Sequence, residues 1–288
     1  MTVIKADQLT KSYKGEQALD ALTVQFEGDK IIGLLGKNGA GKTTLMRLLA
    51  GHFKQTSGNI TINDQEPFNN YFLTRDICFI QENNNFFEKF KVNEVIQLAS
   101  QFYPNWDEEE ANQLLKTFQL NRKQKINALS KGMLSALGII VGIASHAPIT
   151  IFDEPYIGLD ASYRSVFYDK LLESYQSNKR MIILSTHLID EVSRLFEEVA
   201  ILHEGKLHLH EISEQLKDNH WLLRGKKETI DQETNHLNVI HSSEFLGKKT
   251  VVVYDTINEQ HETIEYDKLS LQQLFVYLTK EEVAQDGQ

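Results

Sequence analysis

Continuous apolar runs alternate with helix-like segments through the middle of the chain. The runs cover residues 31–35, 77–80, 149–152 and 181–185, and each is bounded by polar or turn-forming residues. Apolar strands without polar alternation are typical of parallel sheets that are covered by helices on both faces. The pattern therefore predicts an α/β fold with a mainly parallel core sheet flanked by helices.

Two further patterns flank this core. Residues 3–26 alternate apolar and polar positions around a turn at 14–16, which predicts two or three antiparallel strands. Residues 56–63 predict a turn and a short strand, whereas 92–142 are mostly helical in period, with breaks near Pro104 and Asn121. Within that segment, residues 138–144 predict a buried helix too short to span a bilayer.

The pattern changes after about Leu216. Strand-like pieces at 221–223, 237–240 and 250–254 precede a helical segment at about 270–281. We therefore expect two domains, one of residues 1–216 and a small α+β appendage of residues 217–288, with the boundary between about Glu214 and Trp221. A chain that ends after Leu216 is expected to bind nucleotide still.

Composition narrows the functional classes. The chain has 288 residues and a formal net charge of −10, which argues against a general binder of nucleic acid or anionic lipid, although a local basic patch would escape this count. Cys78 is the single cysteine, so an internal disulfide is impossible, and its apolar surroundings favour a packed strand residue over a reactive thiol. With neither a signal-peptide core nor a spanning apolar run, the sequence predicts a cytoplasmic location.

A glycine-rich loop carries the strongest chemical signal. It follows the apolar run at 31–35 and precedes a helical pattern at 45–50, which is the strand–loop–helix context of a phosphate-binding loop. Backbone N–H groups in such a loop surround phosphates, the lysine reaches the β- and γ-phosphates, and the first threonine can hold Mg²⁺. An ordinary glycine turn with a chance lysine does not explain the flanking elements. The candidate residues are Gly36, Asn38, Gly39, Ala40, Gly41, Lys42, Thr43 and Thr44.

Two carboxylates end the apolar run at 149–152. Ligands gather at the carboxyl ends of parallel strands, so we expect Asp153 to meet the Mg²⁺ held by Thr43. Glu154 would face the γ-phosphate and orient or deprotonate an attacking water. A lone Asp-Glu pair is usually a solvated strand end, but the upstream phosphate loop and Pro155 favour the catalytic interpretation.

Several shorter motifs follow in the order found in one family. They are Tyr13 near the start, Gln81 after a strand, the segment Leu129-Ser130-Lys131-Gly132-Met133, the segment Gly158-Leu159-Asp160, and His187. Over about residues 2–216, the sequence resembles the ATP-binding subunits of ABC transporters. Each motif alone is weak, because a lone Gln or His is usually an ordinary polar residue and Tyr13 could simply pack in its strand.

The resemblance implies specific roles. Tyr13 would stack on adenine, Gln81 would be the coupling glutamine near Mg²⁺ and the attacking water, and His187 would sense the γ-phosphate. The signature residues Ser130 and Gly132 would contact the ATP of a second ATPase subunit, so that two chains enclose two nucleotides. Asp160, in the loop after the catalytic glutamate, would also take part in nucleotide binding. The family also implies ATP hydrolysis, ATP and Mg²⁺ as ligands, a separate multi-span membrane subunit at the inner face of the membrane, and no nucleic-acid partner.

Three positions depart from the family pattern. Lys131 replaces the usual signature glycine, Met133 the usual glutamine, and Ile157 a small polar residue. They indicate either one degenerate site in a heterodimer or, as we favour, a subfamily variation. The sequence also looks like the ATPase subunits of Gram-positive bacterial exporters of antibiotics, antimicrobial peptides or toxins, at Lys131 and in the segments 102–107 and 271–278. Residues 103–106 are equally well explained as a helix break with buried aromatic side chains.

Two other functional classes are weighed against a transport ATPase. A soluble ABC ATPase of translation or DNA repair usually carries two cassettes or a long coiled-coil insert, and this sequence has neither. A regulatory nucleotide-binding module without turnover is disfavoured by the presence of Glu154 and His187. The sequence leaves the transported substrate, and the choice between homodimer and heterodimer, open.

Overall fold

A computed structural model describes residues 1–83, 85–257 and 261–279 of the chain. Its first third contains the strands β1 (Val3–Tyr13), β2 (Glu16–Glu27), β3 (Ile31–Gly36), the helix α1 (Lys42–Leu49), then β4 (Ser57–Ile62), α2 (Tyr71–Asp76) and β5 (Ile77–Ile80). β1 pairs antiparallel with both β2 and β4, in the order β2-β1-β4. The antiparallel strands predicted from residues 3–26 and the short strand predicted within 56–63 are therefore confirmed, and the structure pairs this short strand with β1.

The middle of the chain supplies most of the helices and the rest of the core sheet. Its elements are α3 (Val92–Phe102), α4 (Glu108–Thr117), a 3-10 turn (Ile126–Ala128), α5 (Lys131–Ala144), β6 (Ile149–Asp153), α6 (Ala161–Ser177), β7 (Met181–Ser185), α7 (Ile189–Val192), a 3-10 turn (Ser193–Leu195), β8 (Glu198–His203) and β9 (Lys206–Ile212). The six-stranded sheet has the order β5-β6-β7-β3-β8-β9. Every neighbouring pair is parallel except β8–β9, which confirms the mainly parallel core sheet.

Both faces of the core sheet are covered, as the uninterrupted apolar strands predict. Along β3, Ile31 and Leu35 belong to one buried apolar cluster, whereas Ile32 and Leu34 belong to another. This division follows from the two-residue period of a strand. Helices α3 to α6 pack on the first face, and α1 with the antiparallel subdomain packs on the second.

Two local predictions from the sequence are also confirmed. Residues 138–144 lie inside α5 and are buried. Cys78 is fully buried in β5, where burial raises the pKa of its thiol although hydrogen bonds involving Tyr103 and Ser145 oppose the shift. Within the described ranges, no helix combines the length and the apolar character that a membrane crossing requires.

The chain continues into a second, smaller sheet. Its elements are α8 (Ser213–Asn219), β10 (His220–Lys226), α9 (Lys227–Thr234), β11 (Val239–Phe245), β12 (Lys248–Tyr254), β13 (Glu265–Lys268) and α10 (Leu271–Leu278). The strands are all antiparallel, in the order β11-β12-β10-β13. The sequence predicted three of these strands and the last helix but missed α8, α9 and β13. Residues 280–281 of the predicted last helix lie outside the described residues.

The appendage shares apolar surface with the rest of the molecule. Leu216 on α8 and Leu271 and Leu274 on α10 belong to the same buried cluster as Ile31 of the core sheet. The proposed boundary at 216/217 falls within α8. The division into two domains stays a prediction, and the shared cluster shows that the two parts bury apolar residues together.

Candidate nucleotide site

The loop between β3 and α1 has the backbone that its glycines require. Gly41 caps the N-terminus of α1 with φ of +101°. A Cβ atom at this position would lie 2.5 Å from the carbonyl oxygen of Ala18, so both the conformation and the space exclude a side chain. The helix N-terminus and its free N–H groups therefore face the loop, which is the arrangement that binds phosphate.

Lys42 begins α1 and turns its ammonium group back into this loop. Its Nζ donates hydrogen bonds to the carbonyl oxygens of Gly36 at 2.7 Å and of Lys37 at 3.2 Å. Burial lowers the pKa of Lys42, and the nearby carboxylates of Glu154 and Asp153 oppose that shift. The sequence thus places a largely buried cation next to two acidic groups, as expected for a phosphate-binding lysine.

Asp153 connects three elements at the carboxyl edge of the core sheet. Thr43 Oγ1 donates to Asp153 Oδ2 at 2.7 Å, and Ser185 Oγ donates to Asp153 Oδ1 at 2.7 Å. These contacts form because β3, β6 and β7 are neighbouring parallel strands that end at the same edge. The predicted proximity of Thr43 and Asp153 is therefore present in the structure.

Glu154 follows Asp153 in a backbone conformation that is uncommon for a residue with a side chain. Its φ is +50°, and its N–H donates to Ser185 Oγ at 3.1 Å. His187 Nδ1 donates to Glu154 Oε2 at 2.7 Å, and the Tyr156 hydroxyl donates to the same oxygen. The histidine side chain is 60% exposed and that of the glutamate 13%. Glu154 is thus oriented by both neighbours.

The phosphate loop and the Asp153-Glu154 pair border a cavity of about 450 Å³. Lys42, Thr43, Asp153 and Glu154 line it together with Tyr13 at one end. Tyr13 is 39% exposed and lies edge-on to Phe53, with ring centroids 6.0 Å apart, and Lys11 Nζ lies over its ring at 5.2 Å from the centroid. The remaining lining residues are Ala18, Asn38, Gly39, Ala40, Gly41, Thr44 and Glu82.

The signature residues lie at a second cavity, of about 320 Å³, that shares no lining residue with the first among those described. Ser130 caps α5 by accepting from the N–H of Met133 at 3.2 Å, and Asp160 caps α6 by accepting from the N–H of Tyr163 at 2.9 Å. Gly132 lies so close to the loop after Glu154 that a Cβ atom would be 2.4 Å from the carbonyl oxygen of Gly158. The structure thus brings Ser130, Gly132 and Asp160 together, away from Lys42.

Gln81 is not brought to the phosphate loop cavity. Its Oε1 accepts from Arg47 Nε at 3.2 Å, and the cavity wall at this point is formed by Glu82. Lys131, which replaces the usual signature glycine, lies 3.6 Å from Glu82 as an ion pair. The roles of Gln81 in coupling and in Mg²⁺ binding stay predictions.

Sequence reasoning missed two residues that organise the site. Ser185 accepts from the Glu154 N–H while it donates to Asp153, and the Tyr156 hydroxyl contacts Glu154, Thr186 and the backbone of His187. Ser185 could have been identified by its place at the end of a strand beside β6. Tyr156 carried no signal, because its partners Thr186 and His187, which follow β7, are distant in the sequence.

The comparisons with known proteins agree with this geometry. The sequence model of the family described as "ABC transporter" matches residues 19–157. The bacitracin transport ATP-binding protein BcrA of Bacillus licheniformis is 32% identical over 210 residues, which cover 72% of this chain and 68% of BcrA. The matched segment contains all the residues that line the phosphate-loop cavity except Tyr13 and Ala18.

Solved structures show the same fold. The ATP-binding subunit of an ABC transporter has a TM-score of 0.67 and 25% identity, and the match covers 75% of this chain and 92% of that one. A dimeric ATP-binding cassette in a post-hydrolysis state, bound to ADP and Pi, has a TM-score of 0.65 at 22% identity and covers 73% of this chain and 98% of that one. This chain belongs to the ATP-binding proteins of the ABC transporter family and is an ATPase of that family.

Proposed function

We propose that two ATPase subunits, of which this chain is one, close around two ATP molecules and power a separate membrane subunit that exports drugs or peptides. The observation that carries the catalytic part is the phosphate-loop cavity, where a buried lysine, a hydroxyl and two carboxylates meet at one edge of the sheet. Within this cavity, Lys42 binds the β- and γ-phosphates and Tyr13 stacks on adenine.

Thr43 and Asp153 are the proposed Mg²⁺ site. Their oxygens lie 2.7 Å apart on the cavity wall, and hydroxyl and carboxylate oxygens are the donors that Mg²⁺ prefers. The ion would neutralise negative charge on the phosphates. Ser185 holds the other oxygen of Asp153, which keeps the carboxylate oriented towards Thr43.

Glu154 is the proposed general base. Its Oε2 accepts from His187 Nδ1 and from the Tyr156 hydroxyl, so Oε1 is available to accept the proton of an attacking water. The His187 side chain is 60% exposed beside Glu154, and rotation of its ring would exchange Glu154 for a γ-phosphate oxygen. This exchange would make the site respond to loss of that phosphate.

The separate signature cavity supports the two-subunit arrangement. Ser130 and Gly132 lie at the N-terminus of α5, where a helix favours phosphate, but they do not line the cavity that contains Lys42. A second subunit would therefore have to present its own signature residues to the ATP bound here. The structurally similar post-hydrolysis cassette is itself a dimer.

Exposed apolar side chains support a protein partner on the helical part. Tyr71 and Phe72 on α2 are 66% and 80% exposed, and Leu98 on α3 is 50% exposed. Arg75 joins the two helices by donating from Nε to the Phe102 carbonyl oxygen at 3.4 Å. Clustered exposed apolar residues mark interaction surfaces, and we assign this one to the membrane subunit, which would hold the chain at the cytoplasmic face of the membrane. The similarity to BcrA, a bacitracin transport ATP-binding protein, supports a drug or peptide as cargo.

The test is Glu154→Gln. We expect the variant to bind ATP and to hydrolyse it ~10²–10⁴-fold more slowly, the range for loss of a general base. With Mg-ATP it should elute as a dimer in size-exclusion chromatography, because the γ-phosphate that joins the subunits persists. Glu173→Gln is the matched control, since Glu173 is 62% exposed on α6 and pairs only with Lys170 among the described residues. Normal turnover in Glu154→Gln would remove Glu154 from the mechanism, and a monomer at every concentration would contradict the two-subunit arrangement.

A further inference from the structure

The hydroxyl of Tyr156 joins the two loops that carry the proposed catalytic residues. Tyr156 is 2% exposed, and its hydroxyl lies among Glu154 Oε2, Thr186 Oγ1 and the backbone N–H of His187, which donates to it at 3.1 Å. A phenol has one proton to donate and lone pairs to accept. The proton goes to the Glu154 carboxylate, and the lone pairs accept from Thr186 and His187.

This arrangement restricts the Glu154 side chain. Burial, the Glu154 carboxylate and the hydrogen bond to it all raise the pKa of Tyr156, so the phenol stays protonated at neutral pH and acts as a donor. The Tyr156 ring is held in turn by Tyr168, at 6.4 Å between ring centroids, and by His187, at 5.7 Å. A rigid donor on Oε2 leaves Oε1 in a defined position.

We propose that Tyr156 is a positioning residue that fixes the Glu154 carboxylate relative to the His187 backbone for attack by water on ATP. The proposal deepens the function given above and depends on Glu154 as the base. Tyr156 does not contact ATP in this assignment, because it is absent from the residues that line the phosphate-loop cavity. Its effect should therefore appear in the chemical step and not in nucleotide affinity.

The chain offers a matched control in the same aromatic cluster. Tyr168 is also 2% exposed and packs against Tyr156, but its hydroxyl has no hydrogen-bond partner among the described residues. Tyr156→Phe and Tyr168→Phe remove the same atom from equally buried rings. They differ in whether that atom holds Glu154.

The experiment compares both variants with the wild type in ATP hydrolysis and in ATP binding by calorimetry. Tyr156→Phe should lower kcat roughly 10- to 100-fold, as expected for a lost hydrogen bond to a charged group, with KM and Kd for ATP unchanged within about twofold. Tyr168→Phe should keep kcat within about twofold of the wild type. In the Glu154→Gln background, Tyr156→Phe should slow hydrolysis by less than about twofold, because its target carboxylate is already gone.

Single-turnover kinetics with protein in excess keep the test valid if folding is impaired. A partly unfolded sample changes the amplitude of product formation, whereas a displaced base changes the rate constant. If Tyr156→Phe has the wild-type rate constant while Glu154→Gln is slow, the positioning role of Tyr156 is overturned but the role of Glu154 as the base is not. If Tyr156→Phe raises KM as much as it lowers kcat, or slows hydrolysis further in the Glu154→Gln background, the role of Tyr156 is merely structural. Normal turnover in Glu154→Gln would instead overturn the proposed function.

Discussion

The core sheet and the appendage sheet differ in where their polar side chains lie. At the carboxyl ends of β6 and β7, Asp153 and Ser185 share one hydrogen-bond network with Thr43 of α1, the helix that follows the β3 loop. In the appendage, charged side chains pair across its surface, as Lys227 does with Glu244 and Lys249 with Asp231. Parallel strands direct equivalent ends to one edge, whereas antiparallel neighbours end at opposite edges. The polar residues of the core sheet therefore cluster at one edge, whereas the charged residues of the appendage form separate ion pairs on its surface.

The two regions also differ in how they build a core. The core sheet has a large apolar cluster on each face, whereas the appendage sheet has, among its described residues, clusters of five and three buried residues. Its last helix, α10, contributes Leu271 and Leu274 to the larger cluster of the core. Small sheets need such additional burial to be stable. The appendage is therefore stabilised by the cassette against which it packs.

Of the changes considered, Lys42→Ala should have the largest effect, because it removes the phosphate-binding cation at the edge of the core sheet. Loss of charge-assisted hydrogen bonds to two phosphates, each worth roughly 1.5–3 kcal/mol, should weaken ATP binding ~10²-fold or more. Calorimetric titration with Mg-ATP measures the change. Lys37→Ala is the control, because Lys37 is an exposed residue of the same loop that does not line the cavity. Unchanged affinity in Lys42→Ala would refute the phosphate-loop assignment.

Leu274→Ala should test the shared core. Leu274 is 2% exposed within the cassette cluster, so truncation should lower the free energy of unfolding by about 2–5 kcal/mol while the folded protein still binds ATP. Leu246→Ala is the matched control, since Leu246 is 87% exposed at the β11–β12 turn and should change stability by less than about 0.5 kcal/mol. Urea denaturation measures both.

Equal stability losses in Leu274→Ala and Leu246→Ala would show that the appendage does not depend on the cassette for its core. A related expectation concerns the chain that ends after Leu216. It should bind nucleotide, because the residues that line the phosphate-loop cavity all precede that point, although it exposes the apolar surface that α10 covers. A folded truncation without ATP binding would contradict the domain division.

The smallest expected effect is a pH dependence that comes from the appendage. His220 is 1% exposed, donates from Nδ1 to the Leu216 carbonyl oxygen at 2.7 Å and stacks on Tyr254. Burial lowers the pKa of His220 from 6.5, the Leu216 carbonyl and Glu211 oppose the shift, and Lys268 adds to it. Protonation below the unfolded-state pKa therefore favours the unfolded chain, so the free energy of unfolding should fall as the pH drops through about 6.5.

His220→Phe should reduce this fall. Urea denaturation of the wild type and the variant at pH 7.5 and at pH 5.5 gives the difference, and histidines common to both proteins cancel in it. The variant loses its hydrogen bond to Leu216 at both pH values, which shifts its stability without changing the slope. Identical pH dependence in the two proteins would show that His220 does not contribute.

Much of the fold was predictable because its elements are periodic. The apolar runs at 31–35, 149–152 and 181–185 became neighbouring parallel strands, and the glycine loop lies where its context predicted. In contrast, α9 has only Ile230 and Thr234 buried, and β13 reads Glu-Tyr-Asp-Lys, so neither shows an apolar period. The pairing of β13 with β10 and the packing of α9 against β10 and β12 are therefore tertiary contacts that the local sequence does not reveal.

The sequence by itself determined the family, the α/β class, and the local parts whose chemistry lies within a few neighbouring residues: the phosphate loop, the Asp153-Glu154 pair and the signature segment. The tertiary structure decided which distant residues meet. It placed Ser185 between Asp153 and Glu154, engaged Gln81 with Arg47, and brought Tyr156 to His187. The physical reason is that hydrogen bonds between strand ends depend on the order and register of the sheet, which no local pattern contains.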